Sequence, residues 1–214
     1  MAKILITSGP TRQYIDPVRY LSNASSGTMG KCLAQAALDL GHEVIVVSGP
    51  VQVAYPAKAQ IVDVVTTQEM LESANSLFPD CDGMIGAAAP CDYMPVEVAD
   101  HKLRKTGEQL ELKLVETPDI MATIGANKTA DQWTVGFALE TEDARFRALK
   151  KLIKKSCDLI VLNGVAAIDS LENTIEVIAP DGNVIASQSG AKIEVANKIL
   201  EVIQERLIDA HDSV

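Results

Sequence analysis

No stretch of the 214 residues approaches the ~20 consecutive apolar positions that a membrane-spanning helix needs. The apolar run after Met1-Ala2-Lys3 breaks at Ser8-Gly9-Pro10, too early for a signal peptide, so a cytoplasmic protein is expected. Cysteine is sparse and scattered. Cys32, Cys81, Cys91 and Cys157 form no C-x-x-C pair and have no His beside them, which argues against a zinc site or a disulfide framework. Basic residues are the minority, 19 Lys and Arg against 29 Asp and Glu, for a net charge of −10. That balance argues against a general nucleic-acid binder, yet a local cluster of Lys can still hold a small anion. Internal repeats, low-complexity segments and linkers are also missing, so residues 1–214 read as one domain. What is present is apolar material, 47% of the chain, enough for a substantial core and incompatible with global disorder.

The pattern of that material predicts an α/β fold. Lys3 to Thr7, Glu43 to Val47, Ile61 to Val65, Gly83 to Ala89, Trp133 to Ala138 and Asp158 to Leu162 are short apolar runs bounded by turn residues, as buried parallel strands are. Helical spacing falls between them. Met29, Leu33, Ala36, Ala37 and Leu40 share one face within 26–40; Thr67 is expected to cap a helix over 68–77; Thr117-Pro118-Asp119 opens one over 119–127; and a Lys-rich helix covers 142–155. Strands alternating with helices imply a Rossmann-like, mostly parallel sheet with helices on both faces. Two segments break the alternation. Leu110 to Glu116 alternates apolar and polar, and 175–188 reads as two alternating runs joined by Pro-Asp-Gly-Asn, a β-hairpin signal. Both are expected as antiparallel additions at the sheet edge. A last helix spans 191–208, and the tail from His211 is expected to fray.

In such a sheet ligands sit beyond the C-terminal strand ends. The first strand-end loop is long, and Ser25-Ser26-Gly27 precedes a helix whose free N–H groups and dipole suit a phosphate. The familiar templates are absent: Gly9 and Gly27 are too far apart for G-x-G-x-x-G, and Gly27 to Cys32 has the wrong spacing for a Walker A loop. Helix capping alone also accounts for this loop. Arg12 and Arg19 in one loop of an acidic protein favour an anion contact. Asn23 is compatible with simple turn chemistry. Asp92 follows Pro90-Cys91 at a strand end; Cys91, with no His nearby, reads as buried rather than nucleophilic. Lys102, Arg104 and Lys105 form one basic patch, and Lys150, Lys151, Lys154 and Lys155 a second. Lys151 and Lys155 share a helix side, a like-charge pair that an anionic partner would relieve.

Taken together, several segments resemble one family. Ser8-Gly9-Pro10-Thr11-Arg12, Asp16-Pro17-Val18-Arg19-Tyr20-Leu21-Ser22-Asn23 and Ser25-Ser26-Gly27 are similar to the first loop of the phosphopantothenate–cysteine ligases. Further similar segments are Ala87-Ala88-Ala89 with Asp92-Tyr93, Lys102-Leu103-Arg104-Lys105, Thr117-Pro118-Asp119-Ile120, Gly136 to Thr141, and Asp158-Leu159-Ile160 with Asn163. The resemblance runs in order over residues 3–207. It implies a ligase that joins 4′-phosphopantothenate to L-cysteine through an acyl nucleotidate, with CTP preferred over ATP as co-substrate and Mg²⁺ accompanying it, in coenzyme A synthesis. The flavin-dependent decarboxylase fused to this domain in many bacteria does not fit in this length, so the synthetase part alone is expected. The resemblance also implies roles. Asn23 holds the acyl group, with Arg19, Ala88 and Ala89 on the pantothenoyl side. Lys102 approaches the α-phosphate from a flap over 94–117. Gly9, Ser26 and Gly27 cradle phosphate, and Asp92 contacts the nucleotide. Pro118, Asp119, Ile120, Met121 and Phe137 frame its pocket, and Lys151 and Lys155 bind it. Metal ligands are not implied. Two features depart from the family pattern. Pro90-Cys91 precedes Asp92, and proline offers no N–H there; the segment after Asn163 lacks a Gly-rich loop.

Two other readings stay open from the residues: an NAD(P)-dependent oxidoreductase on a similar sheet, and a non-catalytic nucleotide-binding module. The family resemblance also implies a homodimer, in which the hairpin at 175–188 is a candidate for pairing the subunits. No nucleic-acid or membrane partner is expected.

Overall fold

The computed structural model describes residues 1–140, 142–164 and 172–210. Thr141, residues 165–171 and the tail 211–214, and with them most of the departure after Asn163 and the expected fraying, lie outside the described residues.

The chain opens with strand β1 (Lys3–Ser8), followed by a small antiparallel ribbon of β2 (Arg12–Tyr14) and β3 (Tyr20–Ser22). Helix α1 (Thr28–Asp39) leads to β4 (Glu43–Ser48) and β5 (Gln60–Asp63). Helix α2 (Thr67–Leu77) and β6 (Gly83–Gly86) come next, then a second ribbon, β7 (Tyr93–Pro95) with β8 (Leu114–Glu116). The remainder is α3 (Ile120–Asn127), β9 (Trp133–Leu139), α4 (Ala144–Lys154), β10 (Leu159–Asn163), β11 (Glu172–Ile178), β12 (Val184–Ala191) and α5 (Lys192–Ile203). The eight-stranded sheet has the order β12-β11-β10-β9-β6-β1-β4-β5. All neighbours from β10 to β5 are parallel, and the β11–β12 hairpin adds antiparallel pairs at one edge. The fold is the expected Rossmann-like α/β arrangement.

Burial on both faces explains why the central strands are continuously apolar. Ile4, Leu5 and Ile6 of β1 are all fully buried. Ile4 and Ile6 join Val44, Val46, Leu33, Ile199 and Ile203 in the core beneath α1 and α5. Leu5 points the other way, into a second core with Ile45, Met70, Met84, Ile124 and Leu152 beneath α2, α3 and α4. The two-residue side-chain period thus divides each strand between two cores, and a one-residue slip in register would exchange them.

The structure corrects four boundaries. Thr66, not Thr67, caps α2: its hydroxyl accepts from Glu69 N at 3.1 Å, while the Glu69 carboxylate accepts from Thr66 N at 3.0 Å. Thr67 is instead buried with its hydroxyl 2.8 Å from that of Thr11. The strand from Gly83 ends at Gly86; Ala87 N still donates to Thr7 O of β1, and Ala89 N donates to Gly9 O in the loop beyond it. Only Leu114–Glu116 of the alternating segment is strand, and it pairs with β7 rather than the main sheet. All three of its residues are exposed, so no buried face underlies that alternation. Helix α5 ends at Ile203, where one π-helical turn, Gln204–Ile208, takes over. Among the described residues no helix is long and apolar enough to cross a membrane.

The two-core packing makes a direct prediction. Ile6→Ala should lower unfolding stability by about 2–5 kcal/mol, because a fully buried central strand has little room to collapse around the cavity. Urea denaturation of the two proteins checks it.

Candidate functional site

The strand order changes direction at β1: its connection runs outward to β4 and β5, while β6, β9 and β10 extend the sheet the other way. Beyond the C-terminal ends of β1 and β6 the diverging loops leave a cleft of about 910 Å³. A ladder of hydrogen bonds begins on the last residues of β1 and continues between the two loops. Ala87 N donates to Thr7 O (3.1 Å), Ala89 N to Gly9 O (2.9 Å) and Cys91 N to the Thr11 hydroxyl (2.8 Å). Asn23 continues this ladder, with its Nδ2 donating to Pro90 O at 2.8 Å. The donors at 87, 89 and 91 alternate, so the N–H that proline lacks at position 90 belongs to none of these bonds. The Pro90 carbonyl is what matters, as the anchor of Asn23.

Asn23, Ser26, Gly27, Ala88, Ala89, Asp92, Pro118, Asp119, Ile120, Met121, Phe137, Lys151 and Lys155 all line this one cleft. They come from loops or elements spread over more than half the chain. Gly27 is the N-cap of α1 in the left-handed region, at φ 75°, and supplies no side-chain cap. The first-turn N–H groups of α1 are therefore left facing the cleft, as an anion site requires. An added Cβ at Gly27 would lie 2.8 Å from Val51 Cγ1, so both conformation and space demand glycine there. Asp119 caps α3 by accepting from Ala122 N (3.1 Å). Cys91 is buried, and burial raises its thiol pKa, in keeping with an inert side chain.

Lys151 of α4 and Lys155 at its C-cap are already paired. Lys155 lies 3.2 Å from Asp119, and Lys151 Nζ lies 2.6 Å from the Glu140 carboxylate in an ion pair too poorly aligned to count as a directed hydrogen bond. The like-charge cost of the Lys151–Lys155 pair is thus offset within the protein itself. The cleft lining carries four lysines (Lys151, Lys154, Lys155 and Lys192) against three carboxylates (Asp92, Glu116 and Asp119), a locally positive balance in an acidic chain.

Gly9, Arg19 and Lys102 are not among the lining residues. Gly9 makes the left-handed turn (φ 76°) that starts the ladder. Arg12 is turned away, its guanidinium 4.5 Å over the Tyr20 ring. Lys150 sits over Phe146 instead of facing the cleft. Arg19 is occupied by Asp16, whose side chain is fully buried. The Asp16 carboxylate accepts from Arg19 Nε (2.9 Å) and Nη2 (2.6 Å), from the backbone N–H of Val18 and Arg19, and from Leu103 N at 3.1 Å. Arg19 Nη2 also donates to Leu103 O at 2.7 Å. This clasp ties the first loop to Leu103, beside Lys102 and within the 94–117 segment. The sequence reading missed Asp16 as a site element, and it missed Lys154, Asn163, Asn173 and Lys192 in the lining. Lys154 was signalled by its place three residues after Lys151; no local pattern marks the others.

The Asp16 clasp generates a prediction. The Arg19 guanidinium, with further N–H donors, holds the Asp16 carboxyl well below the usual carboxylate range, against the opposing effect of desolvation. A lowered folded-state pKa stabilises the fold above the unfolded value, ~3.9, and that contribution is lost as pH falls below it. Asp16→Asn should therefore be less stable than wild type at pH 7, with the gap narrowing below about pH 4. It should also be cleaved faster by trypsin at Lys102, Arg104 or Lys105. Thermal melts across pH and timed proteolysis check both; unchanged cleavage would separate Asp16 from the flap.

Comparison with known proteins agrees with this geometry. Residues 1–207 match the family described as DNA/pantothenate metabolism flavoprotein, C-terminal domain. The coenzyme A biosynthesis bifunctional protein CoaBC of Vibrio parahaemolyticus is 41% identical over 208 residues, covering 94% of this chain and 52% of that protein. The Bacillus subtilis protein of the same name is 39% identical over 205 residues, covering 94% of this chain and 50% of its own length. The chain thus spans about half the length of these relatives. A crystal structure of the C-terminal domain of CoaBC superposes with a TM-score of 0.83 at 39% identity, covering 97% of this chain and 96% of that one. By sequence and by fold, the chain belongs to the DNA/pantothenate metabolism flavoprotein C-terminal domain family.

Proposed function

We propose that the protein is a phosphopantothenate–cysteine ligase of coenzyme A biosynthesis, using CTP in preference to ATP. The observation that carries this reading is the convergence, in one cleft at the switch of strand order, of Asn23, Ala89, Asp92, the 118–121 segment, Phe137, Lys151 and Lys155. The membership of CoaBC proteins in the same family supports the pathway.

In the first step a carboxylate oxygen of 4′-phosphopantothenate attacks the α-phosphorus of CTP. The bond to the bridging oxygen breaks, and pyrophosphate leaves with the electron pair. In the second step the amine of cysteine attacks the acyl carbon, CMP leaves, and the amine proton passes to solvent. A carboxylate is a weak nucleophile, so the protein acts by alignment and by neutralising charge. Asn23 Nδ2 donates to the Pro90 carbonyl at 2.8 Å and, at 3.4 Å, to that of Ala89; the acyl oxygen takes the place of the longer contact. Arg19 and Ala88 complete the pantothenoyl side. Lys102 reaches the α-phosphate when the flap over 94–117, held at Leu103 by the Asp16 clasp, lies over the cleft. The nucleotide takes Lys151 and Lys155 from Glu140 and Asp119, exchanging protein carboxylates for phosphate oxygens. Gly9, Ser26 and Gly27 shape the phosphate cradle at α1.

Mg²⁺ is proposed to enter with the triphosphate. Among the described residues no group of three or more His, Cys, Asp and Glu side chains is placed to hold a metal. Buried, unpartnered amide oxygens at Asn163 and Asn173 do suit the waters of a hydrated ion. A cytoplasmic homodimer completes the proposal. Exposed apolar side chains gather on the two ribbons and the flap, at Tyr20, Tyr93, Val96, Val98, Leu114 and Val115, which is the surface a second copy would cover. Light scattering should give twice the chain mass; a monomer at working concentration would remove this element.

The decisive experiment is pyrophosphate release with 4′-phosphopantothenate and either CTP or ATP, followed by coupling to cysteine. Release with CTP exceeding that with ATP is expected, and no release with either nucleotide would overturn the ligase reading. Asn23→Ala should lose about 10²–10³ in kcat, the range for removing one preorganised donor, while its melting temperature stays near wild type.

A further inference from the structure

The part of the cleft beyond Phe137 has no role in the steps above. There β10 ends at Asn163, β11 carries Asn173, and α5 begins at Lys192; all three line the cavity. Asn173 is 5% exposed, and its Oδ1 has no hydrogen-bond partner. The Oδ1 of Asn163, on the adjacent antiparallel strand, is buried and unpartnered as well. Leaving a buried acceptor unpaired is costly, and two at one end of one cavity call for donors brought by a ligand. Lys192 has no ion-pair partner among the described residues. Its charge reaches α1: burial raises the Cys32 thiol pKa, and Lys31 and Lys192 pull it back. Thr28, Met29 and Gly30 of the uncapped first turn of α1 line the same cavity as Lys192, the first residue of α5.

We propose that Asn163, Asn173 and Lys192 form the subsite for the pyrophosphoryl end of the nucleotide. The inference rests on the ligase reading and deepens it. Phosphate oxygens fit Lys192 and the first-turn N–H groups of α1, which supply only positive charge and donors. The amide oxygens need the opposite partner. Water molecules on the magnesium ion that accompanies a triphosphate donate hydrogen bonds outward, and this ion keeps several of its waters when bound to phosphates. One set of three side chains thus matches both halves of a hydrated magnesium–pyrophosphate unit. When the bond between the α-phosphorus and the bridging oxygen breaks, the electron pair stays on the pyrophosphate, and Lys192 is placed to neutralise it. Ribose hydroxyls or a base amine also carry donors, but they do not call for an unpaired lysine.

Calorimetry on the whole chain, with Mg²⁺ present, tests this with pyrophosphate and CMP as separate probes. Lys192→Gln should weaken pyrophosphate binding about tenfold, the size of one charge-assisted contact, and leave CMP binding within about twofold; Lys192→Arg should restore it. Asn173→Thr, which keeps a strand-compatible polar residue, should lose the gain in pyrophosphate affinity that Mg²⁺ confers on wild type. Thermal melts confirm that each variant is folded. Pyrophosphate binding unchanged in Lys192→Gln overturns the subsite, as does an equal loss of CMP, which would place the nucleoside there instead. A wild-type chain that binds neither probe nor CTP overturns the ligase reading along with it.

Discussion

The site depends on the ladder that continues past the sheet. Strands β1 and β6 pair for four residues, Ala87 then bonds to Thr7 of β1, and the loops beyond stay bonded through Ala89 and Cys91 to Gly9 and Thr11. Loops at a strand end normally diverge, and their backbone groups turn to water. Here the unpaired N–H groups of one loop find acceptors on the other, so two irregular segments are held as firmly as a strand pair. Asn23 is fixed to the Pro90 carbonyl at the end of this ladder. A polar side chain on a 19-residue connection thereby gains a defined position without belonging to a helix or a main-sheet strand.

Charge is handled by local exchange rather than by overall sign. The chain carries −10, yet the cleft lining has more lysines than carboxylates. Lys151 and Lys155 rest on Glu140 and Asp119 until an anion competes. This arrangement offsets the like-charge cost of the pair within the protein. Lys154 and Lys192 differ from these two, because neither has a carboxylate ion-pair partner among the described residues.

The first loop also governs the flap. Asp16 is fully buried within a solvent-facing loop, which a carboxylate tolerates only when its oxygens are saturated with donors. Arg19 and three backbone N–H groups provide them, and one of those N–H groups belongs to Leu103. Arg19 is therefore as much a structural link as a candidate substrate contact: the same guanidinium grips Asp16 and the Leu103 carbonyl. Lys102 lies outside the lining but next to this link.

Much of the fold was legible in the chain alone. Short apolar runs spaced by amphipathic segments mark the six parallel strands, and Pro-Asp-Gly-Asn marks the hairpin, because both signals are local and repeat with the period of the backbone. Leu110 to Glu116 misled for a related reason: alternation reports a half-buried strand only where there is a sheet to bury it, and here only Leu114–Glu116 forms a strand, on an exposed ribbon. The resemblance at Asn23, Asp92 and Lys151 correctly singled out residues that share one cleft. The sequence by itself therefore determined the element types, the two-faced core and the segments that carry the site. Only the tertiary structure decided that Asp16 spends its charge on Arg19 and Leu103, that Lys151 and Lys155 are prepaired, and that Asn163, Asn173 and Lys192 meet the end of α1. Those contacts join residues far apart in the chain, and no periodicity encodes a partner that folding alone brings near.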